Sequence, residues 1–246
     1  MISMSMETDS HLLHLQGAYN VRDLGGYAAR NGRHTCQNVF FRADNTAALT
    51  ADDIRVLRDR GITLAIDLRS RLEAREQPSR LAGAEGVHYV QVEMLDEISS
   101  NGFRDFPPSL TVMYKDNLDK AQASFAQVFH LFAQNSGAAL FHCTAGKDRT
   151  GMTAMLLLEL AGVPDETIIA DYAATEEYMQ PVFSGIVKHM HTLGVEVPDY
   201  ALRSEPDVME QTLAYLRSRY GDARQYLLSG GVTAEELDVI LSRFVA

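Results

Sequence analysis

Ten residues, HCTAGKDRTG from His142 to Gly151, stand between two apolar runs, AALF at 138–141 and MTAMLLLEL at 152–160. The first run is short and reads as a buried strand ending AALFHC; the second reads as a helix from Thr150 to Ala161, closed by Gly162 and Pro164. A chain built this way must deliver a cysteine, a lysine, an aspartate and an arginine to the point where a core strand stops and a core helix starts. Few architectures do that other than a sheet covered by helices.

The rest of the pattern agrees. QNVFFRAD reads as a short strand, ITLAIDL (Ile62 to Leu68) as a buried one and GVHYVQVEM (Gly86 to Met94) as another. Thr50 caps a helix that carries Asp52 and Asp53 in its first turn, Ile54 and Leu57 on its apolar face and Gly61 at its end. Phe125, Val128, Phe129 and Phe132 share one face of a helix over Leu118 to Gln134. A polar, charged stretch runs to about Leu81, and Asn101-Gly102 and Pro107-Pro108 mark Leu95 to Leu110 as a loop. From Asp165 onward the pattern is helical, with starts near Asp165, Ser204 and Thr233, the last a capping box, Thr233-Ala234-Glu235-Glu236. The expectation is one α/β domain over 1–246: a polar arm at 1–19, a core at 20–162 that begins with a Gly-rich irregular stretch (Asn20 to Cys36), and a helical elaboration at 163–246.

Composition excludes several classes. The net charge is −11, and the 22 Lys and Arg form no dense block, so a nucleic acid partner is not expected. Two cysteines, Cys36 and Cys143, are too few for a disulfide framework or a Cys-rich zinc module. The N-terminus has no basic region followed by an apolar core, so it is not a Sec-type signal, and the longest apolar run is too short to span a bilayer. A cytoplasmic protein without membrane insertion is the default expectation, with export by another route left open.

The loop itself points to phosphate. Gly146 lies in a short connection between strand and helix, where successive backbone N–H groups can surround an anion. A nucleotide-binding Walker loop is excluded, because Phe141 and Asp148 occupy positions where it needs glycine and a hydroxyl residue. Cys143 stands five residues before Arg149. A thiol at a helix N-terminus beside cations ionises readily, and a guanidinium grips two phosphoryl oxygens at once. Thr150 is placed to hydrogen-bond the sulfur as it leaves.

Cys143 to Arg149 has the Cys-x5-Arg signature of the cysteine-dependent protein tyrosine phosphatase superfamily. The whole HCTAGKDRTG resembles its atypical bacterial branch, whose members act on phosphoproteins and phosphoinositides. NVRDLGGY (Asn20 to Tyr27), FFRAD (Phe40 to Asp44) and IDLRS (Ile66 to Ser70) are similar to that branch's N-terminal motifs, so the likeness covers Asn20 to Gly162. The resemblance implies a tyrosine-phosphatase-like fold, no metal and no cofactor, and a phosphorylated protein or phosphoinositide as substrate. It implies Cys143 as nucleophile through a cysteinyl-phosphate. Thr144, Ala145, Gly146, Lys147 and Thr150, with Arg149, would hold the phosphoryl group, and His142 would orient the cysteine loop. Many relatives take the leaving-group proton from a Trp-Pro-Asp loop, but this chain has no tryptophan. Asp148 is the first candidate acid, with loop fixing as a role of equal weight; Asp105 and Asp96 are the alternatives. Lys147 carries two readings as well, a contact to further phosphates on an inositol ring or a loop cation beside Cys143.

Weaker signals complete the picture. Arg22, Asp23, Asp67 and Arg69 read as buried ion pairs that hold loops against the sheet. Cys36 is a core residue or a disulfide partner for Cys143. Neither His189-Met190-His191 nor His11-x-x-His14 makes a metal site alone. Tyr172, Tyr178, Met179 and Phe183 read as helix packing more than as a lid. The rival classes are a catalytically silent phosphate-binding module and a thiol-dependent reductase, the latter lacking a CxxC partner.

Overall fold

The computed structural model describes residues 11–94, 106–192 and 194–246. Five strands form one sheet: β1 (Arg22–Asp23), β2 (Phe40–Ala43), β3 (Ile62–Asp67), β4 (His88–Gln91) and β5 (Ala138–His142), in the order β1-β2-β5-β3-β4. β1 is antiparallel to β2, and the remaining pairs are parallel. β5 therefore lies in the middle, and all five of its residues are buried. That explains its unbroken apolar run, since a parallel strand covered on both faces has no solvent side to mark with polar residues.

The helices are α1 (Ala51–Asp59), α2 (Arg71–Glu76), α3 (Leu110–Lys120), α4 (Gln122–Gln134), α5 (Asp148–Leu160), α6 (Asp165–Thr192), α7 (Asp199–Leu202), α8 (Pro206–Tyr220), α9 (Ala223–Ser229) and α10 (Ala234–Phe244). Thr50 and Thr233 cap α1 and α10 with reciprocal side-chain and backbone hydrogen bonds, as their sequences predict. Three expectations need correction. The charged stretch after β3 contains α2, started by another capping box, Ser70 with Glu73. The single helix expected over 118–134 is two, α3 and α4, meeting at Ala121. The helix after the polar loop begins at Asp148 rather than Thr150. Within the Gly-rich stretch, Arg22 and Asp23 pair as β1, and part of the polar arm is anchored, with Leu13 and Ala18 buried. Gln16 and Gly17 donate backbone N–H groups to Asp53 at 2.8 and 3.0 Å.

One face of the sheet packs Phe40 and Phe141 against Phe125, Phe129 and Phe132 of α4, together with Ile240 and Phe244 of α10. The C-terminal helices thus share a core with the sheet that carries the polar loop. The other face packs Phe41, Ala65 and Leu140 against Leu57 of α1 and Leu13 of the arm. No helix among the described residues is long and apolar enough to cross a membrane. Cys36 precedes β2, and its N–H bonds the Phe244 carbonyl, whereas Cys143 follows β5, which runs parallel to β2. The two thiols sit at opposite ends of the sheet, separated by four residues of strand at about 3.3 Å each, so the disulfide reading fails.

Phe132 is fully buried with rings of Phe40, Phe129 and Phe141 around it at 4.7 to 5.5 Å. Phe132→Ala is expected to lower unfolding free energy by about 3–5 kcal/mol, read from the urea midpoint at constant slope.

Candidate active site

β5 ends at His142 and α5 starts at Asp148, so Cys143 to Lys147 form a five-residue loop at the carboxyl edge of the sheet. Every carbonyl of that loop is held by a donor. His142 Nδ1 meets Cys143 O at 3.2 Å, Asn45 N donates to Thr144 O at 3.1 Å, and Asn20 Nδ2 donates to Ala145 O at 3.0 Å. Gly146 O accepts from Arg42 Nη2 at 2.6 Å and from Asn20 Nδ2 at 3.2 Å, and Lys147 O accepts from Gly151 N at 2.8 Å. In a planar trans peptide the N–H lies opposite the C=O. Carbonyls of Thr144, Ala145 and Gly146 tied on one side leave the N–H groups of Ala145, Gly146 and Lys147 facing the other, the arrangement that binds anions. Gly146 takes φ of +65°, and a Cβ there would meet Ala43 O at 2.6 Å, so only glycine closes the turn.

Cys143 is 2% exposed and lines a cavity of about 120 Å³ with Thr144, Ala145, Lys147, Asp148 and Arg149. The predicted loop residues are therefore brought together. Apolar walls come from Phe106, Phe183, Ile186, Met190, Val197 and Leu202. Phe183 is thus a wall, while Tyr172 and Met179 pack in the interior and Tyr178 lies over the Arg22 guanidinium. His142 is fully buried. Its Nδ1 hydrogen goes to Cys143 O, which leaves Nε2 to accept from Thr46 Oγ1 at 3.2 Å, and burial pushes its pKa down, keeping the ring neutral. Thr150 Oγ1 is buried with no hydrogen-bond partner among the described residues, so no bond to the Cys143 sulfur is formed here.

Glu73 is the residue that sequence reasoning missed. Its carboxylate receives Arg149 Nη1 and Nη2, both at 2.8 Å, the Thr144 hydroxyl at 2.6 Å and Ser70 N at 2.9 Å. A two-pronged carboxylate sets the plane of the guanidinium in a way one hydrogen bond cannot. The signal was available: Ser70-x-x-Glu73 is the same capping pattern that marked Thr233 to Glu236.

Asp148 and Lys147 stand at the start of α5. Tyr114 OH donates to Asp148 Oδ1 at 2.6 Å and pairs with Tyr172 OH at 2.9 Å, while Lys147 Nζ lies 3.4 Å from the same oxygen. Lys147 Nζ also donates to the carbonyls of Ala201 and Arg203, the latter at 3.2 Å. Asp96 and Asp105 lie outside the described residues, as does the His189 side chain; His11 stacks on Tyr27. The expected ion pairs are partly redrawn. Asp67 and Arg69 pair at 2.6 Å, but Arg22 pairs with Asp171 of α6 at 2.7 Å, and Asp23 instead accepts the N–H groups of Gly25 and Asn38.

Burial raises the Glu73 pKa, but Arg149, Thr144 and Ser70 outweigh it and bring it from the ordinary 4.5 to about 2. The stabilisation this represents is complete above about pH 4.5 and is lost as pH falls through about 2. Glu73→Gln is expected to flatten the acid limb of stability between those values, read from urea midpoints. Parallel curves for variant and parent would refute the coupling.

The model of the tyrosine phosphatase family matches residues 13–246. The chain is 36% identical over 218 residues to a tyrosine-protein phosphatase of Nostoc commune, covering 84% of this chain and 74% of that one. It is 28% identical over 198 residues to the triple specificity protein phosphatase PtpB of Mycobacterium tuberculosis, covering 66% and 68%. With almost the full chain matched and the Cys143 loop seated in its cavity beside Arg149, this protein belongs to the tyrosine phosphatase family.

Proposed function

We propose that the enzyme hydrolyses phosphate monoesters, phosphotyrosine foremost, through a cysteinyl-phosphate on Cys143. The observation that supports this most is the shared cavity: a cysteine, an arginine fork and a loop whose carbonyls are bonded elsewhere. Cys143 attacks phosphorus in line and the ester oxygen departs. Water then attacks the phosphocysteine and returns the thiolate. The N–H groups of the loop and the Arg149 guanidinium take up charge on the equatorial oxygens, where fixed donors contribute most.

Asp148 is the acid in this scheme, since it is the described aspartate that shares the cavity with Cys143. Its Oδ1 is steered by Tyr114, and it serves as base when water attacks. The silent-module reading is disfavoured because the cavity brings a thiol and a carboxyl group together, beyond what binding requires. Apolar walls and a Lys147 ammonium already engaged by two carbonyls favour an aryl phosphate over a polyphosphorylated inositol ring.

Phosphate release in EDTA from a phosphotyrosine peptide is expected to fall by roughly 10³-fold or more in Cys143→Ser; full activity in that variant would overturn the cysteine mechanism. Lys147→Ala should cost phosphotyrosine and phosphoinositide substrates equally, and a larger loss on the lipid would restore the inositol role. Asp148→Asn should lose about 10²–10⁴-fold on an alkyl or phenyl phosphate but far less on a nitrophenyl ester, whose leaving group needs no proton. Equal losses on both would assign Asp148 a purely structural role.

A further inference from the structure

The loop is gripped from behind by a buried group far away in sequence. Asn20 Nδ2 reaches the carbonyls of Ala145 and Gly146, and Asn20 Oδ1 accepts from Arg22 Nη1. A guanidinium offers only donors, so this contact settles the amide orientation: oxygen toward Arg22, nitrogen toward the loop. Arg42 Nη2 donates to Gly146 O at 2.6 Å, while its Nη1 binds Asp171 Oδ2. Asp171 Oδ1 accepts from Arg22 Nε at 2.7 Å and from Tyr27 OH at 3.2 Å, and its backbone carbonyl accepts from Arg22 Nη2 at 2.6 Å. Asn20, Arg22 and Arg42 are fully buried, and Asp171 is 1% exposed.

We propose that Asn20, Arg42 and Asp171 are positioning residues of the phosphatase reaction, forming a clamp that holds the Ala145 and Gly146 carbonyls away from the substrate. Asp171 aims Arg42, Arg22 aims Asn20, and both then bind the one residue of the loop with left-handed φ. The Gly146–Lys147 peptide could rotate to present a carbonyl to the phosphoryl group; two donors on Gly146 O oppose that rotation. Burying two arginines is costly, and an apolar packing of similar volume would stabilise the sheet as well. What that packing could not do is hold a carbonyl turned outward. The clamp also sets the Arg42 charge against the loop on the side away from the cavity.

This inference rests on the cysteine-dependent reading, and Asn20→Asp tests it. The substitution keeps size and the contact to Arg22 but replaces the donor that faces two carbonyls by an acceptor. Inorganic phosphate as competitive inhibitor, kcat on an aryl phosphate and the thermal midpoint are measured together, with Cys143→Ser alongside. The expected result, read well below the variant's thermal midpoint, is an inhibition constant raised about tenfold or more and kcat lowered about 10- to 100-fold, with the midpoint itself lowered because the Ala145 carbonyl loses its donor. A lowered midpoint with kcat and phosphate inhibition within about twofold of wild type would overturn the clamp. Asn20→Ala, which removes the donor without adding charge, gives the same comparison if Asn20→Asp does not fold. Wild-type turnover that survives Cys143→Ser would overturn the cysteine reading and the clamp together; turnover lost in Cys143→Ser but unaffected in Asn20→Asp would overturn the clamp alone.

Discussion

The Gly146 carbonyl, bound by Arg42 and Asn20, is the contact on which the site depends. A five-residue loop can present its amide hydrogens to an anion only if its oxygens are satisfied elsewhere, because a buried carbonyl without a donor costs free energy comparable to a lost hydrogen bond. Here the donors come from separate parts of the chain: His142 in the strand, Asn45 after β2, Asn20 before β1 and Arg42 within β2. The sheet order explains how they converge. β2 lies beside β5, so residues at the carboxyl end of β2 are neighbours of the loop that leaves β5.

A second constraint is charge. Arg22, Arg42, Arg69 and Arg149 all lie in or near the site, each almost fully buried, and each has a carboxylate: Asp171 for the first two, Asp67 for Arg69 and Glu73 for Arg149. Burial alone would favour the neutral acids, yet the arginines outweigh it and hold Asp171 and Glu73 at about 2. Ionised carboxylates thus balance the buried guanidinium charges, so in a chain of net charge −11 the pull on a phosphate falls to the loop N–H groups and the Arg149 guanidinium that line the cavity. Local focusing of this kind is what lets an acidic protein bind an anionic ester.

Local features were legible in the sequence and long-range ones were not. The strand, the glycine turn and the helix around Cys143 follow from contiguous residues, and so do the caps at Thr50 and Thr233. Glu73 was legible in principle through Ser70-x-x-Glu73, but the residues around it read only as a polar, charged stretch. The loop expected over 95–110 and a helix start placed at Leu118 hid most of α3, where Ser109 caps the helix two residues beyond Pro107. Asp171 carried no signal: it is one acid in a long helix, and its role exists only once the fold brings α6 within reach of Arg22 in β1 and Arg42 in β2. Asn20 and Arg42 stood inside family-like motifs, yet only the fold shows that both reach the same loop.

The most direct test of the central claim is the stereochemistry at phosphorus. A thiophosphate ester made chiral with oxygen isotopes, hydrolysed in isotopically labelled water, reports whether displacement occurs once or twice, whatever the lifetime of the intermediate. Each in-line attack inverts phosphorus, so transfer to Cys143 followed by transfer to water predicts net retention. Net inversion would mean that water attacks the ester directly, and it would contradict the assignment of Cys143 as the nucleophile.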